Sequence, residues 1–574
     1  MPTQLSKLKL FSLLCLGLFY LSACTSGSED TGAAGAAAES NDLVVQGIAD
    51  TYITHGHLLA NIEILASDRF GGRAPFSEGE KLTLDYIEQK FIANGLQPMF
   101  GDSYRQAVPM VAITLDPETI RVAISQDNQR RELKYGPEIM LGTSQVVDRI
   151  DVLDSQVVFV GYGIVAPEYE WDDYKGLDVE GKIVMILIND PGFVKQDPDF
   201  FNGKAMTYYG RWTYKYEEAA RQGASGVVIV HETAPAAYPW KVVESSWSGP
   251  QFFLDSANGN MDRLPFEAWV TYQIADQWVT ASGMSLENLK REALSTNFEP
   301  IPLDVKLSVH LENSLEKSQS YNIGAVLPGS HNPDELFFYM GHWDHLGTDK
   351  MTEHGIDNIY NGAVDNASGI AGVLAMANTF SRLPEAPLRS IGFLAVTAEE
   401  SGLLGSAYYT AHPAFPMAKT IGGINMDAMN VYGQTDDIIV VGYGSSSLED
   451  ILKENVLDQD RQVEAEPFPE KGGFYRSDHF NFAKRGVPVL YAKGGVKHHD
   501  KGEQYMLDLY ADYTSNRYHA PADEITESWD LSGLSDDLKL FFNIGYQLGN
   551  SSNWPYWYAG NEFKAIRDAS LDGN

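Results

Sequence analysis

Five residues of metal-ligand type each stand beside an apolar, strand-like run: His342 in GHWDHLG, Asp365 in GAVDNASG, Glu400 in TAEESG, Asp427 in INMDAMN and His519 in YHAPADE. Imidazole and carboxylate without thiolate suit zinc or a similar borderline divalent ion. The odd carboxylate among five ligands allows one Asp to bridge two ions. The pattern therefore points to a two-metal hydrolytic centre. Taken singly, each residue has a plainer reading: a polar loop His, a helix cap or Asx turn at Asp365, a solvated surface pair at Glu399 and Glu400. The argument rests on their joint placement among glycines and small residues that let an ion approach.

After Asn322 the rhythm is strand, loop, helix. LFFYM runs up to Gly341, SIGFLAV up to Thr397, IGGINM up to Asp427 and VPVLYA up to Lys493, with a helical pattern, ASGIAGVLAMANTFSRL, between the first two. Short apolar runs separated by helical patterns predict an α/β fold with a mostly parallel mixed sheet covered by helices on both faces. Sites in such sheets gather outside the carboxyl ends of the strands. His342, Glu399, Glu400 and Asp427 follow their strands immediately, which is where that rule puts chemistry.

Upstream, His57 to Gly95 carries apolar residues at three- and four-residue spacing and predicts two packed helices broken by FGGRAPFSEGE. From about Leu115 to Asn313 short apolar strands take over, VVFVGYGI, GKIVMILI and GVVIVH, with YEEAARQG as a helix before the last. That texture predicts a small β-rich or α/β module, here given the bounds 121–309. The main domain is then assembled from 42–120 and 310–574.

Residues 1–23 read as an export signal, Lys7 and Lys9 leading an apolar run closed by Leu21-Ser22-Ala23-Cys24. The run is short for a membrane span. The segment 24–41 is small and polar, as a flexible tether would be. With Cys15 inside the leader and Cys24 at its end, no thiol is left for a structural disulfide or a Cys-ligated zinc. The formal charge of −36 excludes nucleic acid as a partner and reads as solubility. Nothing in the sequence sets an oligomeric state.

GHWDHLG, GAVDNASG, AEESGLLGS, NMDAMN, FYRSDHFNFAKRGVPVL and YHAPADE, in this order, resemble the di-zinc aminopeptidase family that includes bacterial leucyl aminopeptidases, glutamate carboxypeptidase and the glutaminyl cyclases. The resemblance implies a zinc-exopeptidase-like fold and two Zn2+ per chain, one held by His342 and Asp427, the other by Glu400 and His519, with Asp365 bridging. It implies Asp344 as the second carboxylate that orients His342, Glu399 as the general base, and Tyr518 as a stabiliser of the oxyanion. Residues 157–231 resemble a protease-associated domain. Ser22-Ala23-Cys24 resembles a lipobox, which implies a bacterial lipoprotein anchored outside the cytoplasm by Cys24, its only contact with a membrane.

The function expected from all this is an exopeptidase on short peptides, most directly an aminopeptidase. A cyclase-like acyl transferase or a carboxypeptidase would use the same ligands, and a peptide-binding surface protein would carry the metal site as structure. Four further histidines fall outside the ligand set. His345 is expected as a structural neighbour, His479 in RSDHF as a loop-structuring or substrate-facing residue, and His498 and His499 as solvated loop residues. Arg476 and Asp478 are possible pocket residues.

Overall fold

The computed structural model describes residues 43–126, 129–349 and 356–572. The export signal, the tether and Cys24 lie outside the described residues. No helix among the described residues is long and apolar enough to cross a membrane.

The expected α/β architecture is present. Four parallel strands form the centre of the main sheet, in the spatial order Arg389–Val396, Asn332–His342, Thr420–Asn425 and Val489–Gly494. Antiparallel Ile301–Leu327 and then Arg105–Leu115 extend one side, and Asp437–Val440 with Gln462–Ala465 extend the other. From Asn332–His342 the chain crosses through the helix Gly369–Phe380 to the neighbour on one side, then returns to the neighbour on the other. Strand order thus reverses at His342, and a crevice at the carboxyl ends is the geometric consequence.

Alternation along one strand covers both faces. Phe337 and Tyr339 point to one side, where the Tyr339 hydroxyl donates to the Phe541 carbonyl at 2.8 Å and its ring meets Phe380. Leu336, Phe338 and Met340 point to the other, where Phe338 stacks on Phe482 with centroids 4.5 Å apart. Truncating Phe338 to Ala would cost about 3–5 kcal/mol. The helix Gly369–Phe380 is apolar all round and buries every residue except Asn378, as a helix wedged between sheet and outer helices must. Those outer helices include His55–Leu65 and Glu78–Ala93, the two predicted upstream, with Thr54 and Ser77 capping their first turns.

Residues 121–309 contain their own parallel set, Arg149–Phe159, Ile183–Leu187, Gly226–His231 and Glu267–Thr271. Val157, Phe159, Ile183 and Met185 pack on one face, Val158, Val184, Ile186 and Val227 on the other. This region shares a strand with the main sheet. The first part of Ile301–Leu327 pairs with Arg149–Phe159 and Arg121–Gln126, and its second part pairs with Arg105–Leu115 and Arg389–Val396. Pro250–Leu254, inside the same span, also joins Arg105–Leu115. Further contact comes from Met206, whose amide donates to Pro469, from Tyr208, which stacks on Tyr475, and from Lys484, which pairs with Glu217. The module is therefore fastened to the segment that leads into the 489–494 strand.

Candidate metal centre

His342 ends its strand fully buried, and its Nε2 lacks a hydrogen-bond partner. That nitrogen lies 3.2 Å from Asp365 Oδ1 and 3.4 Å from Asp427 Oδ1. The other oxygen of Asp365, Oδ2, lies 3.4 Å from His519 Nε2, which is 3.0 Å from Glu400 Oε2. Two nitrogen-and-oxygen sets therefore meet at the two oxygens of one carboxylate. Ligand atoms about 2.0 Å from a tetrahedral ion stand roughly 3.3 Å from each other, the spacing found here. With an unpartnered imidazole nitrogen aimed at carboxylate oxygens, the donor set fits zinc.

Local structure explains how each group is held. Asp365 sits in the irregular segment Ala363–Ser368 at the start of the buried helix. The amides of Val364 and Asp365 both donate to the Asp523 carboxylate at 3.0 Å, fixing the loop. Asn366 donates to the Met426 carbonyl and accepts from Gly369, tying the Asp365 loop to the Asp427 loop. Gly369 is required there, because a Cβ would lie 2.2 Å from the Met426 oxygen. Asp427 accepts from the Ser477 hydroxyl at 2.6 Å, which itself accepts from Asn425.

Asp344 is placed differently from expectation. Nδ1 of His342 meets the Asp344 main-chain carbonyl at 3.1 Å, whereas the carboxylate Oδ1 is 3.9 Å away. That carboxylate instead accepts the amides of Glu399 at 3.1 Å and Glu400 at 3.4 Å. It organises the glutamate turn, and the carbonyl sets the imidazole tautomer. One ligand atom each from His342, Glu399 and Asp427 come within 4.8 Å of one another, as do atoms from His342, Asp365 and Glu400. The two adjacent glutamates diverge: Glu400 reaches both His519 and His345, the latter at 2.6 Å, while Glu399 turns to the His342 and Asp427 side. Tyr518 stacks on the His519 ring with centroids 3.9 Å apart and is half exposed.

Burial dominates the electrostatics, and the crowding of carboxylates adds to it. Burial pushes the Asp344 carboxyl up to about 7 and raises Glu399 well above the usual range, with Glu400 and Asp427 adding to the latter. Burial by itself would lower the two imidazoles. The carboxylates of Glu399, Asp365 and Asp427 outweigh it at His342, and those of Asp365 and Glu400 lift His519 to about 10. A pit with this much negative charge calls for cations.

Residues 322–540 match the family model described as Peptidase family M28. This stretch of the chain is similar to peptidase family M28. Within the M28 segment lie all five ligand-type residues and Glu399. A probable zinc metalloprotease of Pyricularia oryzae is 33% identical over 129 residues, covering 22% of this chain and 23% of that protein. Aminopeptidase NAALADL1 of Mus musculus is 32% identical over 133 residues, 22% of this chain and 16% of that protein. Leupeptin-inactivating enzyme 1 of Streptomyces exfoliatus is 34% identical over 174 residues, 29% of this chain and 34% of that protein. The match thus spans less than a quarter of the length of the first two of these relatives. The aminopeptidase from Aneurinibacillus sp. strain AM-1 aligns over 89% of this chain and 97% of that one, at 18% identity and a TM-score of 0.47.

Several residues around this centre were missed by the sequence reading. Arg73, fully buried, donates to the carbonyls of Leu65, Trp343, Asn361 and Gly362 and so clamps the chain after His342 to the chain before Asp365. Asp523 stood in the YHAPADE motif, and Ser477 in RSDHF, without a role. Tyr491 donates to the Asp427 carbonyl at 3.2 Å. His479 is fully buried, packed on Phe474 and Tyr491 with neither ring nitrogen bonded, so it is a core residue and faces no substrate. His499 is exposed and paired with Asp436, but His498 is buried, its Nδ1 accepting from the amides of Asp500 and Lys501.

Proposed function

We propose that the protein is a co-catalytic zinc exopeptidase that removes N-terminal residues from short peptides. The supporting observation is the Asp365 carboxylate, whose two oxygens face His342 and His519 at 3.2 and 3.4 Å, the arrangement a bridging ligand requires. His342 and Asp427 would hold one ion, Glu400 and His519 the other, and Asp365 both. Zinc bound there supplies Lewis acidity and water that ionises near neutral pH. Glu399, free of the histidine contacts that occupy Glu400, takes the proton of the attacking water and returns one to the leaving amine. Asp344 holds the Glu399 amide and with it the angle of the base. A free substrate α-amine would pair with a metal or the neighbouring carboxylates, which would select chain ends over internal bonds. Names of relatives that include an aminopeptidase and zinc metalloproteases agree with this reading.

A panel of free, N-acetylated and C-amidated peptides tests it. Release of free N-terminal residues, blocked by acetylation, is the expected result; cleavage of acetyl-dipeptides or cyclisation of N-terminal glutamine would replace it. For location, the reading is a lipid anchor at Cys24 on the outer side of a bacterial membrane. Cys24→Ala should shift the protein from the membrane to the soluble extracytoplasmic fraction.

A further inference from the structure

The polar contacts of the metal centre fall into two classes by length. Glu400 Oε2 and Asp365 Oδ2 lie 3.0 and 3.4 Å from His519 Nε2, and Asp365 Oδ1 and Asp427 Oδ1 lie 3.2 and 3.4 Å from His342 Nε2. These are spacings of atoms that surround one tetrahedral ion, roughly 3.3 Å. Two further contacts are only 2.6 Å long, from His345 Nδ1 to Glu400 Oε1 and from the Ser477 hydroxyl to Asp427 Oδ2. Atoms that close are hydrogen-bond partners and cannot flank a common ion. His345 is therefore a donor to Glu400, and a carboxylate oxygen that accepts requires the proton on Nδ1.

Every carboxylate oxygen of the three acids thus has one task. Asp365 gives one oxygen to each set, Glu400 and Asp427 give one apiece, and a protein donor occupies the second oxygen of each of these two. Each set then offers three donor atoms, His342 Nε2 with Asp365 Oδ1 and Asp427 Oδ1, and His519 Nε2 with Asp365 Oδ2 and Glu400 Oε2. Three protein ligands and an open position characterise catalytic zinc, whereas four close a structural site. Glu400 with both oxygens free would supply the fourth. The imidazole of His345 is present for this bond alone: the side chain is fully buried, and its Nε2 has no hydrogen-bond partner. An apolar ring would fill the same space without burying an orphaned nitrogen, so the contact to Glu400 is what histidine adds. The ring lies against Gly362, where a Cβ would come within 2.5 Å of it, and meets the His519 ring edge-on at 5.8 Å.

We propose that His345 is a positioning residue that restricts Glu400 to a single ligating oxygen and so keeps one coordination position of the Glu400–His519 ion free for water or the substrate amine. This rests on the co-catalytic zinc exopeptidase reading. The hydrogen bond fixes which oxygen of Glu400 faces His519, and the His345 amide, which donates to the Arg73 carbonyl at 3.4 Å, ties the ring to the same clamp that holds the Asp365 turn.

His345→Phe keeps a ring and removes the donor, and His345→Asn returns a donor close to the place of Nδ1. Metal content per chain, the visible spectrum of the cobalt-loaded protein and kcat on Leu-Ala are measured for each, with thermal unfolding confirming that the variants are folded. His345→Phe should keep the metal content of the wild type, show a weaker cobalt spectrum, as a rise in coordination number produces, and lose about 10- to 100-fold in kcat. His345→Asn should recover part of both the spectrum and kcat. If the Phe variant does not fold, His345→Gln, whose longer side chain carries its amide past the Nδ1 position, takes its place in the comparison. A spectrum and kcat equal to wild type, or the loss of one ion per chain together with activity, overturns the proposal, since the latter marks a residue that only holds Glu400 in place. If the wild type takes up metal and turns over no peptide, the exopeptidase reading has failed, and the cobalt spectra alone decide the role of His345. A wild type that takes up no metal overturns both.

Discussion

The Arg73 guanidinium donates through Nη2 to the Gly362 carbonyl at 2.9 Å, joining the connection between the helices His55–Leu65 and Glu78–Ala93 to the turn that presents Asp365. Nε of the same group holds the Trp343 carbonyl, one residue beyond His342. A single buried cation therefore sets the distance between two of the proposed ligands. Arg73→Met leaves buried carbonyls without donors and should cost about 3–5 kcal/mol in urea unfolding, with loss of bound zinc. Stability and zinc content equal to wild type would show that the clamp is dispensable.

Glu399 and Glu400 are neighbours with different tasks, and two substitutions separate them. Glu399→Gln should lower kcat by at least about 10²-fold and leave the zinc content of the purified protein unchanged. Glu400→Gln should lower zinc content as well, because Glu400 faces His519 at 3.0 Å. Equal metal loss in both would remove the division of labour.

His479 should make stability depend on pH. Burial pushes its imidazole down to about 3, against a usual value of 6.5. Below pH 6.5 the unfolded chain takes up a proton that the folded chain refuses, so stability falls as the pH drops from 6.5 towards 3. The slope from this one group is about 1.4 kcal/mol per pH unit. His479→Phe, which suits the aromatic nest of Phe474 and Tyr491, should flatten unfolding free energy over that window by about one proton's worth. An unchanged slope would place the acid sensitivity elsewhere.

Removing zinc should destabilise the protein as well as silence it. Asp365, Asp427, Glu399 and Glu400 converge on one pit, and only cations relieve their repulsion. Chelation should lower the midpoint of thermal unfolding, and added zinc should restore it in a concentration-dependent way. A midpoint indifferent to chelator would show that the site folds without metal.

What could be read from the sequence were the residues whose position follows from strand periodicity. His342, Glu399, Glu400 and Asp427 come directly after apolar runs, and a parallel sheet leaves little choice about where such residues go. Arg73, Asp523 and Ser477 carry no such signal. Their partners are backbone groups and side chains far along the chain, and only the folded arrangement brings them together. The spacing of Asp344 from His342 suggested contact, but a two-residue offset serves a carbonyl as well as a carboxylate, and the carbonyl took the imidazole. The bounds 121–309 likewise assumed that modules end where texture changes, whereas Ile301–Leu327 runs unbroken through both sheets. His498 and His499 look alike in sequence; their burial was decided by a turn that folds two amides back onto one ring.

The most direct test is zinc counted per chain by elemental analysis, for the purified protein and for Asp365→Asn. Two ions in the wild type and a marked loss in Asp365→Asn are predicted, since the carboxylate faces both histidines. One ion or none in fully folded wild type, or two retained in Asp365→Asn, would contradict a centre built around that bridge.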